Sequence, residues 1–273
     1  MRFRLIAADL DDTLLDKNSL ISARNKNAIQ EAVSRGVKFT IATGRMFKTS
    51  ISYMQDLGFN CDWPLINCHG ALIKTAQSRR IILDRSLDNH LAIAVIDEAK
   101  KFDFHIGIFV DDEMFICEEN EYSRYYQALT NIVPQQVGDL RFFLKQKGIK
   151  PNKISIISWD GDVDQLESKL KARFGKTLSI LQSRPYFLEV TDKKATKGQA
   201  LQWLVEQYGL RAEEIIAFGD GLNDLDMVTY AGLGVAVGNA QPAVLKAAGL
   251  IAAPHYEDGV AEVIEKYVLN HSR

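Results

Sequence analysis

The feature that most constrains this chain is an alternation of apolar runs and helical periods. It begins at the N-terminus, breaks off near residue 80 and resumes near residue 196. Arg4–Ala8 reads as a buried strand. Ser22–Arg35 has the helical period, with Ala23, Ala28, Ile29, Ala32 and Val33 apolar and Gly36 as the stop. Val37–Thr43 is a second strand, Met46–Leu57 a second helix closed by Gly58, and Pro64–Cys68 a third strand. Strands separated by helical periods imply right-handed crossovers and a parallel sheet. The later stretch repeats the scheme: helix Gly198–Tyr208, strand Ile215–Phe218, helix Asp224–Ala231, strand Leu233–Val237, then helices Pro242–Ala248 and Val260–Val268.

The middle is organised differently. Arg80–Leu83 is strand-like and Leu91–Phe102 helical. Phe104–Val110 and Met114–Glu118 flank Asp111-Asp112-Glu113, a hairpin signal. Tyr122–Ile132, Leu140–Lys147 and Val163–Phe174 read as helices and Lys153–Ser158 as a strand. A further strand pair, Leu178–Gln182 and Tyr186–Val190, turns at Ser183-Arg184-Pro185. Helix–strand–strand thus occurs twice, as expected of an α+β unit with antiparallel pairing. The expected architecture is α/β: a Rossmann-like parallel-sheet core formed by 1–82 plus 192–273, with an α+β domain inserted over 83–191. A chain of 273 residues accommodates two domains at about one per 150.

Composition narrows the function classes. The 35 acidic and 33 basic residues leave a net charge of −2, and the basic residues are scattered. No polyanion-binding surface and no nucleic-acid partner are expected. No apolar run approaches the ~20 residues of a membrane span, and the apolar stretch at the N-terminus is too short for a signal peptide. A cytoplasmic protein without a membrane partner is the expectation. Cys61, Cys68 and Cys117 show no CxxC spacing and read as reduced core thiols. The sequence assigns no oligomeric state.

Four polar clusters follow predicted strands or open predicted helices, where open α/β sheets bind ligands. In Asp9-Leu10-Asp11-Asp12-Thr13, an extended backbone would turn Asp9 and Asp11 to one face. Phosphoryl transfer needs a nucleophile, a proton donor for the leaving oxygen and a cation, and a carboxylate pair can divide the first two roles. Alone, the cluster also fits a helix cap or a solvated turn. Ala42-Thr43-Gly44-Arg45 offers a hydroxyl and an open backbone N–H to an anion, although Thr-Gly is also ordinary turn chemistry. Lys197, in Thr196-Lys197-Gly198, would neutralise a phosphate and hold a neighbouring carboxylate ionised, or stand on the surface. Phe218-Gly219-Asp220-Gly221-Leu222-Asn223-Asp224 places two carboxylates in a glycine-rich loop, hard oxygens suited to Mg2+.

In order, these clusters resemble the four motifs of the haloacid dehalogenase superfamily: DLDDTL the first, TGR the second, the lysine of TKG the third and GDGLND the fourth. The α+β insertion between the second and third resembles the cap of the Cof-type subgroup. The resemblance covers essentially the whole chain and implies a Mg2+-dependent phosphatase of small phosphorylated metabolites. Sugar phosphates are the first expectation; flavin, pyridoxal and nucleotide phosphates are alternatives. It implies Asp9 as the nucleophile that forms an aspartyl phosphate, and Asp11 as general acid and then base. Asp9, Asp220 and the backbone carbonyl of Asp11 match metal positions, and Asp224 matches an acid of the metal shell, direct or through water. Thr43, the backbone of Gly44, Asn223 and Lys197 match groups that hold the phosphoryl oxygens. Arg45, His69 and Arg184 are candidate substrate contacts. Two positions depart from the pattern: Asp12 stands where many relatives have glycine, and His69 where Cof-type relatives usually have asparagine.

Two other readings share this chemistry. A phosphomutase would return the phosphoryl group to substrate and would require a bisphosphate. A phospho-accepting signalling module also combines an acceptor aspartate with Thr and Lys on a parallel sheet. Asp11, two residues past the nucleophile, and the long insertion argue against the module.

Overall fold

The computed structural model describes residues 2–59, 61–159 and 163–270. The chain forms two compact units, Met1–Ile82 with Thr196–Arg273, and Leu83–Ala195. In chain order the first passage carries β1 (Leu5–Ala8), β2 (Lys38–Ile41), β3 (Pro64–Asn67), β4 (Leu72–Thr75) and β5 (Ile81–Asp84). The second unit carries β6 (His105–Val110), β7 (Glu113–Ile116), β8 (Gln135–Gln136), β9 (Lys153–Ile157), β10 (Leu178–Arg184) and β11 (Phe187–Asp192). The return passage carries β12 (Ile215–Gly219), β13 (Leu233–Ala236) and β14 (Leu250–Ile251).

The first unit is built on a five-stranded parallel sheet in the order β14-β13-β12-β1-β2. Strand β1, Leu-Ile-Ala-Ala, is buried along its whole length, as a central parallel strand covered on both faces must be. Leu5 faces Lys38 on one side and Ile215 on the other, and Ala8 faces Ile41 and Phe218. After β1 the chain runs outward to β2, whereas β12, β13 and β14 run outward the opposite way. Strand order therefore reverses between β1 and β12, the place where such sheets open a crevice at their carboxyl ends. Helix Ala23–Ser34 begins where the Ser22 hydroxyl accepts the Asn25 N–H at 3.0 Å, and it buries Ala28, Ile29 and Ala32. Helix Lys197–Gln207 starts from Thr196, whose hydroxyl accepts the Gln199 N–H at 3.2 Å.

The third expected strand departs from the parallel sheet. β3 meets the chain just past β2 in one ladder bridge, Ala42 to Ile66, and the Thr40 hydroxyl of β2 donates to its Pro64 carbonyl at 2.9 Å; its regular pairing is antiparallel, with β4. β4, which the sequence pattern does not predict, lies in a separate three-stranded sheet, β3-β4-β5.

The second unit holds a six-stranded sheet in the order β10-β11-β9-β6-β7-β8, antiparallel except for β7 with β8. Both helix–strand–strand passages are present, Asn89–Lys100 with β6 and β7, and Val163–Phe174 with β10 and β11; β9 lies between their strands. Ile106, Ile108, Ile154, Ile156, Leu188 and Val190 form one buried cluster with the helices, including Val95, Leu144 and Leu166. Asp111 and Asp112 both have positive φ, 47° and 67°, as the tight β6–β7 hairpin requires. The β10–β11 turn is shorter than expected. β10 continues to Arg184 with a register irregularity after Gln182, so Pro185 and Tyr186 make the turn. The return to the first unit falls at Ala195/Thr196, whereas the sequence pattern places it after residue 191. Lys193 stays with the second unit because its N–H donates to the Thr177 carbonyl at 3.0 Å.

Cys68 is buried, Cys61 half-buried and Cys117 exposed, so the expectation of three core thiols fails at Cys117. Among the described residues no helix is long and apolar enough to cross a membrane.

Candidate active site

The first, third and fourth motifs meet at the carboxyl ends of β1 and β12. Asp9 leaves β1 still extended, at φ −67° and ψ 161°, and its N–H donates to the Phe218 carbonyl of β12 at 3.1 Å. That bond continues the parallel ladder one residue further and fixes the Asp9 backbone. The side chain is 8% exposed. The Lys197 ammonium, fully buried at the start of its helix, lies 2.7 Å from Asp9 Oδ1 and 2.6 Å from Asp224 Oδ1. The other Asp224 oxygen accepts the backbone N–H groups of Asp220 (3.1 Å) and Gly221 (3.0 Å). Asp224 thus accepts three hydrogen bonds, which makes its complete burial tolerable, and its carboxylate folds the 219–224 loop around itself. Asp220 Oδ1 accepts the Thr13 hydroxyl at 2.8 Å.

Carboxylate oxygens of Asp9, Asp220 and Asp224 lie within 4.8 Å of one another. Three hard oxygens this close, offset by one lysine, carry excess negative charge, and the acid strengths reflect it. Burial, followed by the charge of Asp224, raises the Asp9 pKa well above the usual carboxylate range, although Lys197 opposes the rise. Burial, again with Asp224, pushes Asp220 up to about 6. Burial alone would favour a neutral Lys197, but Asp224 and Asp9 override it and hold the ammonium more firmly protonated than usual. A set of hard, crowded, partly protonated oxygens fits a small divalent cation such as Mg2+.

The second motif lies beside this centre at the end of β2. The Ala42 N–H donates to the Ala8 carbonyl at 2.9 Å, which sets Ala42 alongside Asp9 and leaves Thr43 one residue further along the same strand end. Thr43 is fully buried; its hydroxyl accepts the Arg45 N–H at 3.1 Å and its carbonyl accepts the His69 N–H at 3.1 Å. His69 Nδ1 lies 3.4 Å from the Asn223 amide nitrogen. Thr43, Gly44, His69 and Asn223 thereby form a second group, joined to the carboxylates through the Asn223–Asp224 peptide.

Asp11 and Arg45 take up a different relation. Rather than sharing a partner with Asp9, Asp11 receives a two-pronged contact from Arg45: Nε to Oδ2 at 2.9 Å and Nη2 to Oδ1 at 2.5 Å. Arg45 Nη1 also donates to the Tyr53 hydroxyl at 3.0 Å. The expected substrate contact of Arg45 is thus, in this structure, a contact with the candidate acid. Between Asp9 and Leu15 the chain makes one wide turn, closed by the Leu15 N–H on the Leu10 carbonyl at 2.9 Å. Asp12 sits in that turn at φ 56° and ψ 13°. This left-handed conformation is one that glycine adopts freely and that aspartate is among the few side-chain-bearing residues to tolerate, which explains the first departure. Its carbonyl accepts from Asn239, and its carboxylate is exposed.

Of the other candidates, Arg184 belongs to β10 of the second unit, and its side chain lies outside the described residues. Two polar contacts escape sequence reasoning. Thr13 lies within the first motif without an assigned role, yet its hydroxyl reaches Asp220. Tyr53 lies in helix Phe47–Asp56, which starts two residues after Arg45, and no sequence signal links the two.

A parallel α/β sheet that gathers a lysine-held carboxylate cluster at its topological switch defines the class, a phosphoryl-transfer enzyme fold. The chain belongs to the haloacid dehalogenase-like hydrolases, whose family model matches residues 6–264. It is 30% identical to the 5-amino-6-(5-phospho-D-ribitylamino)uracil phosphatase YwtE of Bacillus subtilis, over 96% of this chain and 97% of that protein. The crystal structure of a haloacid dehalogenase-like hydrolase from Bacteroides thetaiotaomicron superposes with a TM-score of 0.86 at 30% identity, covering 97% of this chain and 99% of the other. The sugar phosphatase BT4131, of subclass IIB, superposes with a TM-score of 0.83 at 25% identity, covering 97% and 98%. The protein is a phosphatase, a phosphoric monoester hydrolase, of this superfamily.

Proposed function

We propose that this phosphatase hydrolyses phosphate esters of small polyhydroxylated metabolites, sugar phosphates foremost, through a phosphoryl group carried on Asp9. The observation that carries the reading is the buried Asp9 carboxylate, held 2.7 Å from Lys197 within a cluster of three acids. Asp9 and Asp220, with the backbone carbonyl of Asp11, would hold Mg2+, and Asp224 would support it from behind. When bound, the cation lowers the repulsion between the attacking carboxylate and the phosphate. An oxygen of Asp9 forms a bond to phosphorus as the ester P–O bond breaks, and Asp11 gives its proton to the leaving alkoxide. Asp11 then takes a proton from water, which attacks phosphorus and releases phosphate from Asp9. Lys197, Thr43, the Gly44 backbone and Asn223 steady the phosphoryl oxygens, and positioning of this kind is the protein's main contribution to phosphoryl transfer.

Two relatives support the substrate class. One is named a sugar phosphatase; the name of the other places its phosphate on a ribityl chain. Selection among such esters is assigned to the inserted unit. The test is a phosphate-release screen over sugar, polyol, pyridoxal, flavin and nucleotide phosphates, with and without Mg2+ and with Asp9→Asn as control. Mg2+-dependent release that the variant loses almost completely is the expected result. Wild-type-like hydrolysis by Asp9→Asn would overturn the assignment, and a bisphosphate requirement would favour the phosphomutase reading.

A further inference from the structure

His69 is the residue that the family pattern leaves unexplained, and its surroundings are unusual. A Cβ built on Gly44 would lie 2.4 Å from His69 Cε1 and 2.7 Å from Nε2, closer than any side chain permits. The imidazole thus occupies the space that every residue but glycine would need at position 44. On the other flank, Nδ1 lies 3.4 Å from the Asn223 amide nitrogen. Asn223 is seated in the same manner: its Oδ1 lies 2.4 Å from where a Gly221 Cβ would stand. Gly44, His69, Asn223 and Gly221 therefore run as one interlocked row from the second-motif loop to the fourth-motif loop. The residue is 7% exposed. Its backbone is left-handed (φ 57°, ψ 22°), directly after Cys68 at φ 49°. Two consecutive side-chain-bearing residues in that region carry a conformational cost, which persists only where the surroundings impose it. The His69 N–H on the Thr43 carbonyl (3.1 Å) and the Cys68 N–H on the Arg45 carbonyl (3.0 Å) impose it here.

We infer that His69 is a positioning residue of the phosphate-binding side, one that sets the Gly44 backbone and the Asn223 amide relative to each other. The inference rests on the reading above, in which those two groups hold phosphoryl oxygens. With the Asn223 amide donating to Nδ1, that nitrogen is the acceptor and the ring proton sits on Nε2, an assignment made from the hydrogen-bond geometry. The Asn223 amide is then fixed in one of its two orientations before any anion arrives. A preset amide and a preset backbone N–H bind an anion without ordering cost at that moment, which is how pre-organisation raises affinity. A ring that merely fills space would hold the loops together without selecting the amide orientation.

The test is the affinity of inorganic phosphate by calorimetry, with kcat and KM for p-nitrophenyl phosphate and thermal midpoints alongside. His69→Ala is expected to weaken phosphate about tenfold and to lower kcat/KM by a similar factor. His69→Asn, which keeps a polar partner for Asn223, should regain most of both. Gly44→Ala must displace the ring, so adding His69→Ala to it should cost little more. Phosphate affinity within twofold of wild type in folded His69→Ala, even with a lowered midpoint, overturns the inference; so do additive losses at positions 44 and 69. Should His69→Ala fail to fold, His69→Phe replaces it, filling the space but lacking Nδ1, and wild-type phosphate affinity there is equally fatal. Calorimetry reads anion binding without turnover, so failure of the Asp9 assignment would show separately in the Asp9→Asn assay.

Discussion

Lys197→Met is the most revealing single change, because it removes one charge and little volume from a site where, among the described residues of the first unit, Lys197 is the buried lysine. In the wild type, the ammonium touches Asp9 and Asp224 at 2.7 and 2.6 Å, and all three side chains are almost fully buried. Removing one partner of a buried pair costs about 3–5 kcal/mol, because the remaining charge stays desolvated and unpaired. The expected penalty is therefore of that order in metal-free protein near pH 8. Its pH dependence follows from the acids that remain. Burial and mutual repulsion already raise Asp9, and they push Asp220 up to about 6, against about 4 in an unfolded chain. An acid whose folded pKa is raised contributes its full stability below the unfolded pKa and loses it as pH rises through the folded one. For Asp220 alone this is about 3 kcal/mol between pH 4 and 6. Without Lys197 the folded acids bind protons still more tightly, so the variant's deficit should be largest at pH 8 and shrink towards pH 5. Saturating Mg2+ should recover part of it by supplying the missing positive charge. The assay is amide hydrogen exchange at Leu5–Ala8, which reports the first unit by itself, in chelator and in Mg2+ at pH 8, 6.5 and 5. A deficit below about 1 kcal/mol at pH 8, or one indifferent to both pH and Mg2+, would refute the electrostatic account.

Two further outcomes are expected. Arg45→Gln should change stability by less than about 1 kcal/mol, since the Asp11 side chain is 53% exposed and such pairs contribute little. If the guanidinium positions the acid, the variant should lose about tenfold in turnover of alkyl phosphates and much less with p-nitrophenyl phosphate, whose leaving group scarcely needs a proton; equal losses would remove Arg45 from that role. In the second unit, burial lowers the His105 pKa to about 4, and its Nε2 is buried with no hydrogen-bond partner among the described residues. A base whose folded pKa is depressed loses stability as pH falls from about 6.5 towards 4, by about 2 kcal/mol at pH 5. Protection factors at Ile106 and Ile156, taken against the intrinsic exchange rate at each pH, should fall accordingly, and His105→Phe, stacked on Tyr122 like the imidazole, should abolish that acid dependence; an unchanged dependence would contradict it.

What sequence reasoning reached, and what it missed, divides along physical lines. The central core strands β1 and β12 are short, apolar and followed directly by a carboxylate, so both their existence and the position of the motifs at their ends were legible. β4 was not: Leu-Ile-Lys-Thr is four residues long, too brief to establish a period, and its pairing with β3 sets it as a strand. β8 and β14 are two residues each and exist through the ladders of β7 and β13. The Lys197–Asp9 contact was reachable, because a lone lysine opening a buried helix needs a carboxylate. The Arg45–Asp11 contact was not, because exposed arginines have many possible partners and only the folded loops select one. In each miss, the deciding interaction is a pairing that no residue's own type discloses.

The two departures from the family pattern share one cause. Asp12 and His69 both have left-handed backbones, at φ 56° and 57°, in loops that leave a strand abruptly. A parallel strand delivers its last residue pointing along the sheet, and a side chain or N–H can face the crevice only if the chain turns within a few residues. Such turns use positive φ, and glycine, asparagine and aspartate adopt it most readily. Asp12 satisfies the demand through its own residue type. Histidine meets it less easily, and at position 69 the Thr43 and Arg45 carbonyls hold the strained pair in place, while Gly44 yields the volume the ring needs. The same row then offers a test of whether strain or contact governs the loop. Asparagine at 69 should relax the backbone while keeping a polar group towards Asn223, so stability should rise even where phosphate affinity falls slightly. A variant that lost both together would mean that the ring's packing against Gly44, rather than the backbone conformation, dominates the energetics of this turn.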